Sequence, residues 1–371
     1  LGDVYKRQIN MVKNAYIHIP FCKSKCKYCS FVSYPALELK EQYLDALEKE
    51  IKCFYEKEFL NTLYIGGGTP SVLNVLEIEK IIENFNFEQN TEITVELNPE
   101  TLTVEYFQGL RECCVNRISL GCQTFDDKIL KIIGRRHNAS QVINAVTYAQ
   151  QAGFENISLD FIYGLPAQTI QGFMDDLQKA VTLGVKHISL YGLKIDEGCW
   201  FYDNCPSQLP DNDVQADMYL KAIETLTDAG YEHYEISNFA KSGFQSRHNL
   251  NYWDNNTYYG FGIAAHGYKD GVRYSNYEDF ESYFKSPNIH NLTHRVSREE
   301  QLEEEIFLGF RKMSGINIEN INKEFNIDIE VKYRKILQKY TATNHLIKTG
   351  TGYKLSEEGI LVSNVILADF I

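Results

Sequence analysis

The chain has 371 residues, of which 44% are hydrophobic and 23% charged, and no apolar run approaches the roughly 20 residues that span a bilayer. A formal net charge of -13 argues against a nucleic-acid partner, because binding to phosphates needs clustered Lys and Arg. Nine cysteines without a signal peptide are typical of reduced thiols, so we expect a cytoplasmic protein with no transmembrane segment.

The first ten residues, LGDVYKRQIN, precede Met11 and show neither turn signals nor periodicity. We interpret residues 1–10 as a non-native or disordered extension and leave them out of the fold prediction. After Met11, six short apolar or β-branched runs alternate with helical patterns: AYIHI, TLYIG, EITVEL, RISLG, ISLDFIY and HISLYGL. The alternation predicts an α/β fold with parallel strands, either an open doubly wound sheet or a complete or partial barrel. Polar residues that follow these strands should then meet at one rim.

The regular alternation lapses after about Lys194, and we place the end of the large domain, residues 11–240, beyond that point. A Tyr-, Asn- and Gly-rich region over 241–296 is expected to connect it to a second unit. That unit begins at Ser297 with a capping-type residue and an acidic first helical turn. Its tail predicts a hairpin followed by a helix, so we expect a small α+β, winged-helix-like domain over 297–371.

Three cysteines, Cys22, Cys26 and Cys29, follow the first predicted strand in a C-x3-C-x2-C pattern. Three thiolates on a four-iron cluster leave one iron without a protein ligand, open to a chelating group. The alternatives are a partial zinc site and chance surface thiols. We expect the iron–sulfur cluster, which should bleach in air.

The stretch YIHIPFCKSKCKYCSF, followed by GGGTPS, resembles the radical S-adenosylmethionine (SAM) superfamily, and specifically its branch of oxygen-independent coproporphyrinogen oxidases and HemW. The segments ELNPE, SLGCQTF, IGRRH, SLDFIYGLP and YEISNFA extend the resemblance through most of the chain. It implies a partial (β/α)6 TIM-like barrel, a 4Fe-4S cluster, an electron donor for that cluster, and SAM chelated at the open iron. In this family, an electron from the cluster can cleave SAM to a 5'-deoxyadenosyl radical.

The same resemblance implies a set of SAM-binding residues at the strand ends, which are Gly67, Gly68, Thr69, Glu96, Gln123, Arg135 and Asp160. The GGGT run is otherwise read as a tight turn, and Glu96 as a solvated acid at a strand end. The assignment of Arg135 leaves Arg136 open as the alternative. Tyr16 and Tyr28 match aromatic positions that flank the cluster, where packing is as good an interpretation as direct contact.

Two departures within the branch favour HemW, the heme chaperone, over the oxidase. Phe31 stands where the oxidases carry a further cysteine, and the longer amino-terminal extension of those enzymes is missing before the first strand. HNLNYW, which begins at His248, resembles the HNxxYW signature of HemW. His248 is therefore the predicted axial ligand of heme, His266 is a second candidate, and a loop histidine bonded to backbone is the alternative.

The resulting expectation is a heme chaperone that binds a cluster, SAM and heme, and passes heme to an acceptor protein. Its rival is an oxidoreductase that decarboxylates coproporphyrinogen by radical chemistry. A third interpretation, an RNA-modifying enzyme, would need a basic surface that the sequence does not supply. The remaining cysteines, and His18, His137 and His187, are expected to be packed residues.

Overall fold

The computed structural model describes residues 12–371, so the extension predicted over residues 1–10 lies outside the described residues. The strands are β1 Asn14–Ile19, β2 Phe59–Gly67, β3 Asn86–Leu97, β4 Arg117–Gln123, β5 Asn156–Tyr163, β6 His187–Gly192, β7 Glu232–Glu235, β8 Asn238–Ala240, β9 Tyr259–Phe261, β10 His266–Lys269, β11 Val272–Ser275, β12 Leu292–Arg295, β13 Ile316–Asn317, β14 Leu346–Lys348 and β15 Gly352–Leu355.

The helices are α1 Lys40–Phe54, α2 Val75–Ile82, α3 Val104–Glu112, α4 Asp127–Ile132, α5 Ala139–Gln151, α6 Ile170–Thr182, α7 Trp200–Asp203, α8 Asn212–Asp228, α9 Arg247–Trp253, α10 Phe280–Lys285, α11 Arg298–Gly309, α12 Ile318–Phe325, α13 Ile329–Lys332, α14 Arg334–Ala342, α15 Glu357–Leu361 and α16 Ser363–Ala368. Within the described range, no helix combines the length and the apolar composition needed to cross a membrane.

One nine-stranded sheet dominates the large domain, with the strand order β7-β8-β6-β5-β4-β3-β2-β1-β9. Strands β1 to β6 are parallel to their neighbours, and helices lie in the connections between them. All six strands predicted from the sequence are present, and the prediction of an α/β fold with a small carboxy-terminal domain is confirmed. The sheet also recruits β9, which pairs with β1, so it extends past residue 240 into the region expected to be a connection.

Alternation along each parallel strand gives the sheet two different faces. In β1, Ala15, Ile17 and Ile19 are fully buried in the hydrophobic core, while Tyr16 and His18 point to the other side. The strand register aligns the other side's residues in rows: Asn14 with Thr62 and Glu92, Tyr16 with Tyr64, Thr94 and Arg117, and Glu96 with Ser119, Ser158 and His187. We call this polar side the inner face.

The inner face has two ends that are built differently. The carboxyl ends of the strands carry the GGGT run, Glu96 and Asp160, and we call this end the rim. At the amino-terminal end, helix α9 lies against the face, because the backbone N–H groups of Arg247 and His248 both donate to the carboxylate of Glu92. The sequence HNLNYW thus forms a helix that covers one end of the inner face.

The remainder of the chain forms two small antiparallel sheets, β10-β11-β12 and β13-β15-β14. Ser297 caps α11 as the sequence predicted, and in the structure Glu300 completes a capping box at this helix start. Strands β14 and β15 form the expected hairpin, followed by α15.

Candidate cofactor site

The loop that carries the three cysteines is held by backbone hydrogen bonds at two places. The Cys22 N–H donates to the Tyr34 carbonyl at 3.1 Å, and the Tyr34 N–H donates back to Pro20 at 2.8 Å. Farther along, the Lys27 N–H donates to Ile133 at 3.0 Å, which ties the loop to the end of α4. The backbone of the loop is therefore held in place by the protein itself.

Each of the three thiols is half-buried and unpaired. Cys22 Sγ hydrogen-bonds with Thr69 Oγ1 at 3.2 Å, and Cys26 Sγ accepts a bond from Arg135 Nη1 at 3.6 Å. Burial raises the pKa of Cys29 to about 11, so this thiol needs a metal to displace its proton at neutral pH. Among residues 12–371, no three His, Cys, Asp or Glu side chains are grouped closely enough to hold one metal ion. A four-iron cluster is larger than a single ion and spaces its thiolates more widely.

Arg135 gives a direct test of whether this loop suits an anionic group. Its Nη2 donates to Asn98 Oδ1 at 2.8 Å and to the Gly121 carbonyl at 2.7 Å, but its Nε is buried without a partner. A buried guanidinium with a spare N–H beside Cys26 is suited to a negatively charged ligand. The residues present therefore fit a thiolate-bound cluster with an anionic ligand next to it.

Other groups approach the GGGT run so closely that there is no room for side chains at its glycines. A Cβ on Gly68 would lie 2.7 Å from the Phe21 carbonyl oxygen and 2.8 Å from that of Ile19. Gly67 has a φ of 108°, which disfavours residues with a side chain, and its N–H donates to Glu96 Oε2 at 3.1 Å. The run brings the backbone and Thr69 directly against the cysteine loop.

Glu96 and Asp160 are two acids close together on the inner face at the rim. Tyr64 donates to Glu96 Oε1 at 2.6 Å, while Ser119 Oγ donates to both oxygens of Asp160 at 2.8 and 3.0 Å. Burial, with a smaller contribution from the nearby Asp160 charge, raises the pKa of Glu96 to about 7. Burial likewise raises the pKa of Asp160. A cationic ligand between them would favour the ionised forms of both.

The end of β4 is strained where it faces the same space. Gln123 is buried and has a φ of 67°, and the register between β4 and β5 shifts between Gly121 and Gln123. A side chain in the left-handed region is disfavoured and is often found at functional sites. The backbone at Gln123 therefore departs from the regular pairing between β4 and β5 at the rim.

The two neighbouring arginines have different surroundings. Arg135 is the one that reaches Cys26, whereas Arg136 is about half exposed and forms an ion pair with Glu100 at 3.3 Å. Asn98, which bonds to both Arg135 and Thr69, was missed from the sequence. Its place two residues after Glu96 in ELNPE was the available signal.

The two aromatic candidates lie in different places. Tyr28 packs against the cluster of apolar side chains that includes Ile133 and Phe201, and burial raises the pKa of its hydroxyl. Tyr16 lies on the inner face, with its hydroxyl 3.0 Å from His18 Nδ1 and its ring 6.1 Å from that of Tyr64. Tyr28 adjoins the cysteine loop, and Tyr16 lines the inner face.

His248 is held at the end of the inner face opposite the cysteines. It is 1% exposed, with Nδ1 2.7 Å from Thr62 Oγ1 and Nε2 2.9 Å from the Tyr252 hydroxyl. Its ring stacks on Tyr64, and burial lowers its pKa to about 3, with Arg117 adding to the effect. Both ring nitrogens are hydrogen-bonded, so in this conformation His248 offers no free nitrogen to a heme iron.

His266, the second candidate, is exposed and has no side-chain hydrogen bond within residues 12–371. It follows β9 and lies near His18, whose pKa is lowered by burial and further by the His266 charge. His18, His137 and His187 are buried and hydrogen-bonded.

None of the other six cysteines forms a disulfide. Cys113, Cys122 and Cys199 are buried, as expected of packed residues. The same expectation is wrong for Cys53, Cys114 and Cys205, whose side chains are exposed.

Comparison with known proteins gives a consistent assignment. The radical SAM superfamily model matches residues 16–180, and the HemN C-terminal domain model matches residues 296–362. The chain is 38% identical to the heme chaperone HemW of Lactococcus lactis, over 96% of this chain and 97% of that protein. It is 35% identical to the heme chaperone HemW of Bacillus subtilis, over 97% and 99%.

The crystal structure of coproporphyrinogen III oxidase (HemN) from Escherichia coli has the same fold, with a TM-score of 0.86 and 21% identity over 97% of this chain and 90% of that one. Full-length identity to two HemW proteins and a radical SAM match over the cysteine loop and rim lead to one conclusion. The chain belongs to the radical SAM superfamily and, within it, to the HemW family.

Proposed function

We propose that this protein is a heme chaperone of the HemW type, which binds heme, a 4Fe-4S cluster and SAM and hands heme to an acceptor protein. The observation that carries the proposal is the identity of 38% and 35% to two heme chaperones over nearly the whole length of both chains. Membership of the radical SAM superfamily implies the cluster and SAM. Heme binding is inferred from the relatives, which are named heme chaperones.

The cluster would be held by Cys22, Cys26 and Cys29, and the loop around them supplies its position. When bound, the cluster supplies electrons and an open iron for chelation. The loop's backbone hydrogen bonds to Tyr34, Pro20 and Ile133 hold the three thiols at the rim before any metal arrives.

SAM would occupy the space between the cysteine loop and the inner face, in contact with Gly67, Gly68, Thr69, Glu96, Gln123, Arg135 and Asp160. Arg135, with its unpartnered Nε, suits the carboxylate of the ligand. The paired acids Glu96 and Asp160 suit its ammonium and hydroxyl groups, because carboxylates accept hydrogen bonds and stabilise positive charge.

Phe31 distinguishes the heme-chaperone hypothesis from the alternative of a coproporphyrinogen oxidase. Its side chain is 67% exposed on the cysteine loop, so the position where the oxidase branch carries a further cysteine holds a side chain that cannot ligate a metal. The oxidase function, decarboxylation of coproporphyrinogen, is favoured here only by the shared fold, and many functions share one fold.

Two measurements on the anaerobically reconstituted protein separate the functions. Hemin should give a stoichiometric Soret band, and the heme-loaded protein should transfer heme to an apo-acceptor such as a cytochrome subunit. Under reducing conditions with SAM, coproporphyrinogen should remain unconverted. Conversion to protoporphyrinogen, without a saturable hemin spectrum, would establish the oxidase instead.

A further inference from the structure

A cavity of about 640 Å³ lies beyond the amino-terminal end of the inner face, away from the cysteine loop. Helix α9, strands β11 and β12 and helix α11 contribute to its walls, which include Tyr252, Tyr258, Val296, Phe307 and Leu308. A cavity of this volume with mainly apolar and aromatic walls falls in the range that accommodates a cofactor-sized ligand. None of the residues assigned to the cluster or to SAM lines it.

The HNLNYW segment touches this cavity through Tyr252. The Tyr252 hydroxyl hydrogen-bonds with His248 Nε2, and its ring meets that of Tyr258 edge to face, with centroids 4.7 Å apart. His248 itself is not among the lining residues. Tyr252 is thus placed to contact a ligand in the cavity, while His248, outside the cavity lining, fixes the orientation of Tyr252 through this hydrogen bond.

His294, on β12, lies at the edge of the same cavity. Its side chain is 62% exposed, and Nε2 is 2.9 Å from Glu300 Oε1, while Nδ1 has no hydrogen bond within residues 12–371. The Glu300 carboxylate is itself fixed, because its other oxygen accepts the Ser297 N–H as part of the helix cap. Histidines that bind metals usually have their second ring nitrogen held by a carboxylate, which orients the ring and increases its basicity.

The cavity lining carries more negative than positive charge, so any acidic groups of a flat aromatic ligand would have to point to the solvent. Glu304 is neutralised by Arg273, which donates to both of its oxygens at 2.6 and 2.9 Å. Arg273 also stacks on Tyr268, so its aliphatic and planar surfaces are held against aromatic groups. Glu303 is the remaining acid of the lining, besides Glu300 and Glu304.

We propose that this cavity would hold heme, with His294 Nδ1 as the nitrogen that would bind its iron and with Tyr252 and Tyr258 among the walls. The proposal rests on the heme-chaperone function and assigns it a place. It also gives HNLNYW a definite role, because His248 and Thr62 position Tyr252 as one wall of the cavity. His248 is then a positioning residue.

The test uses the full-length, cluster-containing protein and hemin under anaerobic conditions. His294→Ala should weaken hemin binding by about tenfold or more and shift the Soret band away from that of the wild type. His345→Ala, which removes a histidine in the carboxy-terminal domain, is the matched control and should bind hemin as the wild type does. In His294→Gly, added imidazole should restore the wild-type Soret position, which a merely structural role of His294 would not produce.

A second variant tests the cavity without touching the ligand. Leu308→Trp should fill part of the space and weaken hemin binding while leaving the far-UV circular dichroism and iron content unchanged. Hemin binding that stays at the wild-type strength in both His294→Ala and Leu308→Trp would overturn the proposed site. No saturable hemin spectrum in the wild type would instead overturn the heme-chaperone function itself.

Discussion

The two ends of the inner face carry a glutamate each, on the same strand and the same side, in opposite surroundings. Glu92 accepts the Arg247 and His248 N–H groups of α9, so its charge is compensated by a helix of the same chain. Glu96, four residues later, accepts bonds from Tyr64 and Gly67 but faces a second acid, Asp160. The amino-terminal end is completed by the protein, whereas the rim carries an excess of negative charge that a cationic ligand would compensate.

Replacing a cysteine of the loop should have the largest effect of all the variants, and that effect should be confined to the rim. Cys26→Ser leaves two thiolates, which hold a cluster poorly, so iron content and visible absorbance should fall to background after anaerobic reconstitution. Cys205→Ser removes an exposed cysteine outside the C-x3-C-x2-C pattern and should retain the iron of the wild type. Equal losses in the two variants would mean that the ligands are assigned wrongly.

The excess negative charge at the rim predicts pH-dependent SAM binding. The pKa of Glu96 is raised to about 7 by burial, so ionising it in the fold is costly and its contribution to stability falls as pH rises from about 4.5 to 7. A cationic ligand reverses this preference. SAM affinity should therefore rise about fivefold between pH 6 and 7 and level off near pH 8, measured by equilibrium dialysis.

Glu96→Gln is the matched variant for this pH dependence. It keeps the size of the side chain and removes the charge, and its single amide oxygen can accept one of the two bonds that Tyr64 and Gly67 donate to Glu96. SAM affinity should fall and the slope between pH 6 and 8 should shrink to what Asp160, also raised in pKa, contributes. An unchanged slope in Glu96→Gln would assign the pH dependence to a different group.

Adding a single methyl group to the GGGT run should weaken cofactor binding more than it lowers overall stability. Gly68→Ala places a Cβ 2.7 Å from a backbone carbonyl, so the run must shift away from the cysteine loop at a cost of about 1–3 kcal/mol. The loss in SAM binding free energy should be larger than the loss in the free energy of unfolding. Gly350→Ala, whose Cβ would meet no atom within 4 Å, should change neither quantity in calorimetry.

The smallest predicted effect lies at the amino-terminal end and should concern stability alone. Glu92→Gln removes the charge that receives two N–H groups of α9, which should lower the free energy of unfolding by about 1–3 kcal/mol. Iron content and SAM affinity should stay at wild-type values. Glu88→Gln, an exposed position on the same strand, is the control for denaturant unfolding. A loss of SAM binding in Glu92→Gln would show that the two ends are coupled.

The sequence was sufficient for the strands and for the sidedness of the sheet, since both follow from local patterns. AYIHI alternates apolar and polar residues, and the structure buries the apolar set under helices and lines the inner face with the other. The order of the strands then brings Glu96 on β3 and Asp160 on β5 together across β4, as expected of residues near the carboxyl ends of parallel strands. The spacing of the three cysteines needed no tertiary information.

Other features depended on contacts between residues far apart in the chain, which no local pattern encodes. Arg135 and Arg136 are indistinguishable in the sequence, and only the approach of Cys26 and Gly121 sets them apart. HNLNYW predicts a ligating histidine, but its pairing with Thr62, 186 residues away, engages the ring nitrogen. The cavity beside Tyr252 likewise exists only because α9, β12 and α11 fold together. Periodicity and spacing thus determined the elements and the cysteine loop, while long-range packing decided which side chains remain free to bind a ligand.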